Sequence, residues 1–523
     1  MKRSKSWGII ILIFICCFMN GCKQNGGNEE TNSVDYENVI KLKAITIGKE
    51  PKEGMDELYK QLDALTIPEL NCTLRFEFIP WGDEKKQINI AVNSGEYDFI
   101  PGGVFSDYQS LTVRNAFIDL NQYLDIVPDL VNHYLQKGEN ALKNYEINGG
   151  LYGIPQLGFS GLYTDITEGF FYREDLRKEW GLEPVTDLET MEAYLYRAKQ
   201  DERYADEALI TDNRIWTGLW SMIAGDNYIE ISTILENPFF VVSVENPYVP
   251  VSRMETPEFK EVLRYIKKWY DDGIIDPNLL VYSDNEGSLG LELMKKDRKP
   301  CETNAPIWSC NKNFIPKLYE TNPDWEFGFF SYMIDKEAVY ATTGEGGSVI
   351  SIPSKSEHPD TAIRLLEKVH TDSRYYNLLV YGVEGIHYNT KDNALNYDGI
   401  KETNRYPGWT AASDDYMQFS LEAPNKVWTE QVYDPMIEKG DRLAKEVPYC
   451  PIDRFSFDLS SVDSILNKMN EVKEKYFQPL LCGNTDNIDV DLNDAISKLN
   501  DAGINIYMER IEQALQEYKN TLK

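Results

Sequence analysis

Four histidines, at positions 133, 358, 370 and 387, are the whole imidazole complement of this 523-residue chain. No two are close in sequence and HExxH is absent, so no metal and no cofactor are expected. No CxxC occurs, which excludes zinc ribbons and thioredoxin-type redox sites. Gly158-Phe159-Ser160-Gly161 lacks the spacing of a GxSxG nucleophile elbow. Gly344-Glu345-Gly346-Gly347 has no strand–GxGxxG–helix context, and no GxxxxGK[ST] is present to bind nucleotide phosphates. Residues 486–494 (DNIDVDLND) have the acidity of a calcium loop without its sixth-position Gly or terminal Glu. A glycosidase carboxylate pair stays open, because spacing along the chain does not report the separation of two carboxyls across a bond.

What remains is aromatic. The chain carries 33 Tyr, 21 Phe and 10 Trp. Trp81 follows a strand pattern at Pro80, either as a ligand-facing ring or as core at a hinge. Phe105-Ser106-Asp107-Tyr108 follows Gly102-Gly103, where Asp107 is a hydrogen-bond acceptor for a ligand or a helix cap. Trp216 and Trp220 are four apart and share a helical face, with Trp220 read as core and Trp216 left open. Trp308 sits in NAPIWSCN without helical periodicity, and Trp409 lies in the loop Tyr406-Pro407-Gly408-Trp409.

The net charge is −32, which argues against nucleic acid as a partner, since phosphate binding needs clustered Lys and Arg. It argues equally against a basic membrane-binding face. Lys2, Arg3 and Lys5 precede a thirteen-residue apolar run at 7–19, too short for a span of about 20 residues. This reads as a signal peptide over residues 1–21. Asn20-Gly21-Cys22 resembles a bacterial lipobox, although Met19 and Asn20 depart from its usual residues. Cys22 is the expected lipidation site, and residues 22–38 are read as a polar tether. A diacyl anchor suffices for membrane attachment without a basic patch. Cys72, Cys301, Cys310, Cys450 and Cys482 remain, with a Cys301–Cys310 closure or buried free thiols as the two readings.

These residues must be positioned by elements that the hydropathy pattern outlines. Residues 39–47 alternate as a strand; Met55, Leu58, Leu62 and Leu65 recur at helical spacing; Leu74, Phe76 and Phe78 mark a second strand. A helix over 83–93 ends near Gly95, and a short strand is expected at 97–100. Alternating strands and helices imply βαβ units. Helices are expected over 171–200, 256–272, 358–371 and 504–518, with strands at 326–333 and 347–353.

Several segments together resemble ABC-importer solute-binding proteins of the carbohydrate type. Asn148-Gly149-Gly150-Leu151-Tyr152-Gly153-Ile154-Pro155 is similar to their crossover segment, and Tyr172-Arg173-Glu174-Asp175-Leu176 to a helix that follows it. Gly347 to Ala362 (GSVISIPSKSEHPDTA) resembles their return segment. Tyr381-Gly382-Val383-Glu384-Gly385-Ile386-His387-Tyr388 resembles a subgroup of Gram-positive lipoproteins with its own carboxyl-terminal domain. The resemblance implies an α/β fold of two lobes closing like a hinge on a ligand. It places lobe one at 39–152 plus 297–352 and lobe two at 153–296 plus 353–523, with crossings near 150–156, 290–300 and 350–356.

The implied activity is non-catalytic capture of a saccharide outside the cell, for delivery to the membrane permease subunits of an ABC importer. The protein is expected to act as a monomer held at the membrane by its lipid. A sugar site needs flat aromatic faces for the ring C–H side and planar polar groups for the hydroxyls. Trp81, Asp107, Trp216, Trp308, Glu384, Tyr388 and Trp409 are the candidates, with a structural turn as the other reading of 384–388. A peptide receptor and a surface glycoside-active enzyme are the rival readings.

Overall fold

The computed structural model describes residues 38–522, except 83, 104–105, 107, 137–140, 143–144, 148, 156–161, 236, 281–287, 343–347, 392–393, 410–419 and 422–424. The amino-terminal signal and Cys22 lie outside the described residues, as does Asp107.

Strand β1 (Ile40–Ile47), helix α1 (Met55–Leu70) and strand β2 (Cys72–Ile79) form a βαβ unit. The strands pair in parallel from Ile40 against Cys72 to Ile47 against Ile79. The last four residues of β1 are all buried, as a strand covered on both faces must be. Helix α1 turns Met55, Leu58, Leu62 and Thr66 inward and ends at Asn71 in the left-handed region. Helix α2 (Glu84–Ser94) buries Ile88, Ala91 and Val92. The strand expected at 97–100 is shifted: Phe99 makes an isolated parallel bridge to Ala44 of β1, and β3 (Ile100–Gly102) pairs antiparallel with residues 349–351.

Further along lie β4 (Ile154–Pro155), β5 (Glu168–Arg173), helix α3 (Ile215–Ala224) and helix α4 (Pro257–Asp271). Then come β6 (Cys301–Pro306), β7 (Phe327–Ser331), β8 (Val349–Ser351) and helix α5 (Pro359–Thr371). Residues 171–173 belong to β5, not to the helix expected from 171. Helix α4 buries Phe259, Val262, Leu263, Ile266 and Trp269, the stripe its spacing predicts.

Two lobes follow from the pairings. Strand β8 lies between β3 and β4, both antiparallel to it, while β5 lies between β6 and β7. One core joins Leu42, Leu62 and Phe99 to Ile350, Ile363, Leu366 and Trp409. Another joins Phe170, Leu219, Val262 and Trp269 to Leu466, Phe477, Tyr507 and Ile511 of the carboxyl-terminal helices. Among the described residues, lobe one therefore draws on 40–155 and 349–409, and lobe two on 162–341 and 428–518. This corrects the expected partition: 301–331 pairs with β5 in lobe two, and helix α5 packs in lobe one. No crossing falls at 290–300, because helix α4 before it and strand β6 after it both pack in lobe two.

Cys72, Cys301, Cys310, Cys450 and Cys482 are buried and unpaired. Cys301 faces the core of Phe170 and Trp220, whereas Cys310 lies in the separate cluster of Phe171 and Phe327. Burial pushes the Cys301 thiol up to about 12, leaving it an inert, protonated side chain.

Candidate functional site

On lobe one, β2 ends at Ile79, and the turn Pro80-Trp81-Gly82 leaves the Trp81 indole 55% exposed. Gly82 has φ +96°, which only glycine adopts without strain, and its N–H donates to Glu84 Oε2 at 2.5 Å. A groove of about 450 Å³ runs beside this strand end, lined by Lys43, Glu50, Phe76, Glu77, Phe78 and Pro80. Within it Lys43 Nζ lies 2.7 Å from Glu77 and the Tyr97 hydroxyl donates to Glu77 at 2.7 Å. These two contacts hold the Glu77 carboxyl below its ordinary range. The groove thus combines aromatic surface with fixed polar groups.

On lobe two, β6 is irregular. Its register against β5 slips between Glu302 and Ala305, and Asn304 sits at φ +55°. An extra residue of this kind re-aims the side chains that follow. Asn304 Nδ2 donates to Thr217 Oγ1 at 2.9 Å and to the Arg214 carbonyl, and its N–H donates to the Tyr332 hydroxyl at 3.3 Å. Past the strand end the Ile307 N–H is fixed on Thr167 O at 2.9 Å, and Trp308 projects 51% exposed. Trp216, on α3, is half-buried, with the buried Arg253 guanidinium 5.5 Å from its ring. Trp220 is core, as its spacing suggests.

Strand β8 is paired on both edges. Val349 pairs with Gly102 on one side and Pro155 on the other. A Cβ on Gly102 or on Gly153 would stand 2.7 Å from Val349 Cγ2, so both glycines are required by the close approach of the strands. On the lobe-two side Ala341 bridges Leu162 and also Tyr449. Sequence reasoning missed Tyr449, whose ring is 63% exposed. The available signal was an aromatic between Pro448 and Pro451.

Two candidates are corrected. Trp409 is 2% exposed, with its ring 5.1 Å from Phe99 and 5.7 Å from Phe76, so it fills the lobe-one core. Tyr388 is buried with its ring 5.7 Å from Tyr381. Glu384 is exposed and accepts from the Thr390 hydroxyl. Between them Gly385 N–H donates to Tyr388 O at 2.7 Å, and His387 accepts from the Val383 N–H at 2.9 Å. The segment is a structural turn held by these contacts.

A separate groove of about 500 Å³ lies along β7, between Tyr172, Phe329 and Trp428, and includes none of the sequence-derived candidates. Among the described residues no group of three or more His, Cys, Asp or Glu is placed to hold a metal ion.

The fold, two α/β lobes, is similar to that of crystallised solute-binding proteins. A crystal structure of the N-glycan transport solute-binding protein NgtS from Streptococcus pneumoniae matches with a TM-score of 0.69 at 20% identity, over 92% of this chain and all of that one. By sequence the chain is 24% identical over 494 residues to a carbohydrate ABC transporter substrate-binding protein of Streptococcus pneumoniae serotype 4, covering 92% of this chain and 91% of the relative. It is 21% identical over 468 residues to the polygalacturonan/rhamnogalacturonan-binding protein YtcQ of Bacillus subtilis, covering 84% of each. Residues 451–520 match a family described as a domain of unknown function, DUF3502.

Proposed function

We propose that this protein is an extracellular, lipid-anchored receptor that captures an oligosaccharide between its lobes and passes it to an ABC permease. The observation that carries this reading is the pair Trp81 and Trp308. Each is more than half exposed and each follows a strand end, one per lobe of a hinged fold. Exposed indoles forgo part of the burial that stabilises a protein by about 1.5–3 kcal/mol for a large apolar side chain, and flat aromatic faces at strand ends suit a sugar ring. The relatives that bind carbohydrate supply the substrate class. Asp107 is proposed as a hydroxyl acceptor in the loop after β3.

Closure moves the lobes about the crossings at β8 and Ala341. A ligand that touches both lobes binds the closed state better and shifts the equilibrium by that difference alone. The closed form is what the permease would recognise. The anchor is Cys22, and Cys22→Ala should move the protein from the membrane fraction into the medium.

A thermal-shift screen of residues 23–523 tests the reading, with mannose-rich N-glycan fragments, oligogalacturonides, maltodextrins and peptides. A ligand at 100 times its dissociation constant adds about 2.7 kcal/mol of stability. A shift with one saccharide series supports the receptor. Shifts with peptides alone, or turnover of a chromogenic glycoside, overturn it.

A further inference from the structure

The region matched by the carboxyl-terminal family begins two residues after Tyr449, and the segment that leads into it is fastened to residues 341–342. Ala341 is held on both sides. It bridges Leu162 antiparallel and Tyr449 in parallel. The Ala341 N–H donates to Pro448 O at 2.9 Å, and the Cys450 N–H donates to Ala341 O at 2.9 Å. One residue further along the chain, the Thr342 hydroxyl donates to Asp453 Oδ1. Cys450 is turned into the lobe-two core beside Ile452 and Phe455, while the intervening Tyr449 ring is left 63% exposed. The backbone on either side of this ring is therefore fixed by main-chain hydrogen bonds, and the ring is bare where the chain passes between lobes.

We propose that the segment leading into the carboxyl-terminal domain, bridged to Ala341 and tied at Asp453, presents Tyr449 as a stacking face for a pyranose ring in the interlobe cleft. This rests on the saccharide reading above. A tyrosine on rigid backbone is suited to such a contact, because its ring offers flat area while losing only two torsions. A phenol held in this way contributes by its face, so the hydroxyl is dispensable. The domain then has a role in binding: its helices bury in lobe two and anchor the segment that carries the ring.

The test is titration calorimetry of wild type, Tyr449→Ala, Tyr449→Phe and Thr342→Val against whichever probe of the panel (N-glycan fragment, oligogalacturonide, maltodextrin) shifts the wild-type melting temperature. Tyr449→Ala should bind about tenfold more weakly with an unchanged melting temperature, since the ring is exposed. Tyr449→Phe should stay within about twofold of wild type. Thr342→Val should weaken binding by a smaller factor than Tyr449→Ala. Equal affinity in wild type and Tyr449→Ala overturns the inference while leaving the receptor reading intact. Failure of wild type to bind any saccharide removes the reading on which the inference rests.

Discussion

The amide of Asn304 donates to the Thr217 hydroxyl at 2.9 Å and so joins the bulged strand leading to Trp308 to the helix that carries Trp216. Asn304 holds this position in the left-handed region, which short amide side chains tolerate and alanine does not. Asn304→Ala loses two side-chain hydrogen bonds, each worth about 1 kcal/mol, and adds about 1–2 kcal/mol of backbone strain. A loss of about 3 kcal/mol in denaturant unfolding is expected, with weaker saccharide binding at temperatures where the variant is folded. Unchanged stability would show that the bulge holds without its amide.

Trp308 and Trp409 separate binding from stability. Trp308→Ala removes an exposed ring and should weaken saccharide binding by about tenfold, with little change in melting temperature. Trp409→Ala empties a core site between Phe76 and Phe99 and should cost about 3–5 kcal/mol. The Trp409 indole N–H is buried with no acceptor among the described residues. Trp409→Phe should therefore cost less than about 1.5 kcal/mol, since it mainly loses ring volume. Loss of saccharide affinity in folded Trp409→Phe would return this residue to the site.

How far the chain announced these facts depends on the range of the interactions involved. The stripe of α4 and the βαβ start were legible because their periodicity is local. Trp409 was not, because Pro407 and Gly408 signal a surface loop while the rings that bury it, Phe76 and Phe99, lie over 300 residues away in sequence. The lobe boundaries failed for the same reason. Nothing near 301–331 records that β6 and β7 flank β5, and strand order is set by pairing across the whole chain. Trp308 lacks periodicity in NAPIWSCN, yet it starts a helical run over 307–319 whose buried face is Ile307, Cys310, Phe314 and Leu318, and its ring lies off that face. The bulge that aims it carries no signal beyond Asn304 itself.

His387 makes stability depend on acidity. Its Nδ1 accepts from Val383 N–H at 2.9 Å, and its Nε2–H donates to Glu53 O at 3.1 Å, a pattern that only the neutral ring satisfies. Burial lowers its pKa below the ordinary 6.5. The unfolded chain therefore takes up a proton first. The contribution of this group is complete above pH 6.5 and declines as pH falls through that value toward the lowered folded one. Chemical denaturation between pH 8 and 5 should show this slope, and His387→Gln should flatten it. An identical slope in the variant would assign the pH dependence to other groups.

Lys299 and Glu302 form an ion pair at 2.8 Å with side chains 0% and 2% exposed, and Lys299 also donates to the Thr211 hydroxyl at 2.8 Å. Burial raises the Glu302 pKa while the Lys299 ammonium opposes it. The pair brackets the start of β6, with Lys299 just before Cys301 and Glu302 the second residue of the strand. Removing one partner leaves the other charge without compensation in the core, which costs about 3–5 kcal/mol. Lys299→Met and Glu302→Leu should each destabilise by about that amount, whereas the double variant should recover most of it, because two apolar chains replace two desolvated charges. Additive losses in the double variant would mean that the pair contributes through separate contacts, with Thr211 on the lysine side and the Thr303 N–H on the glutamate side.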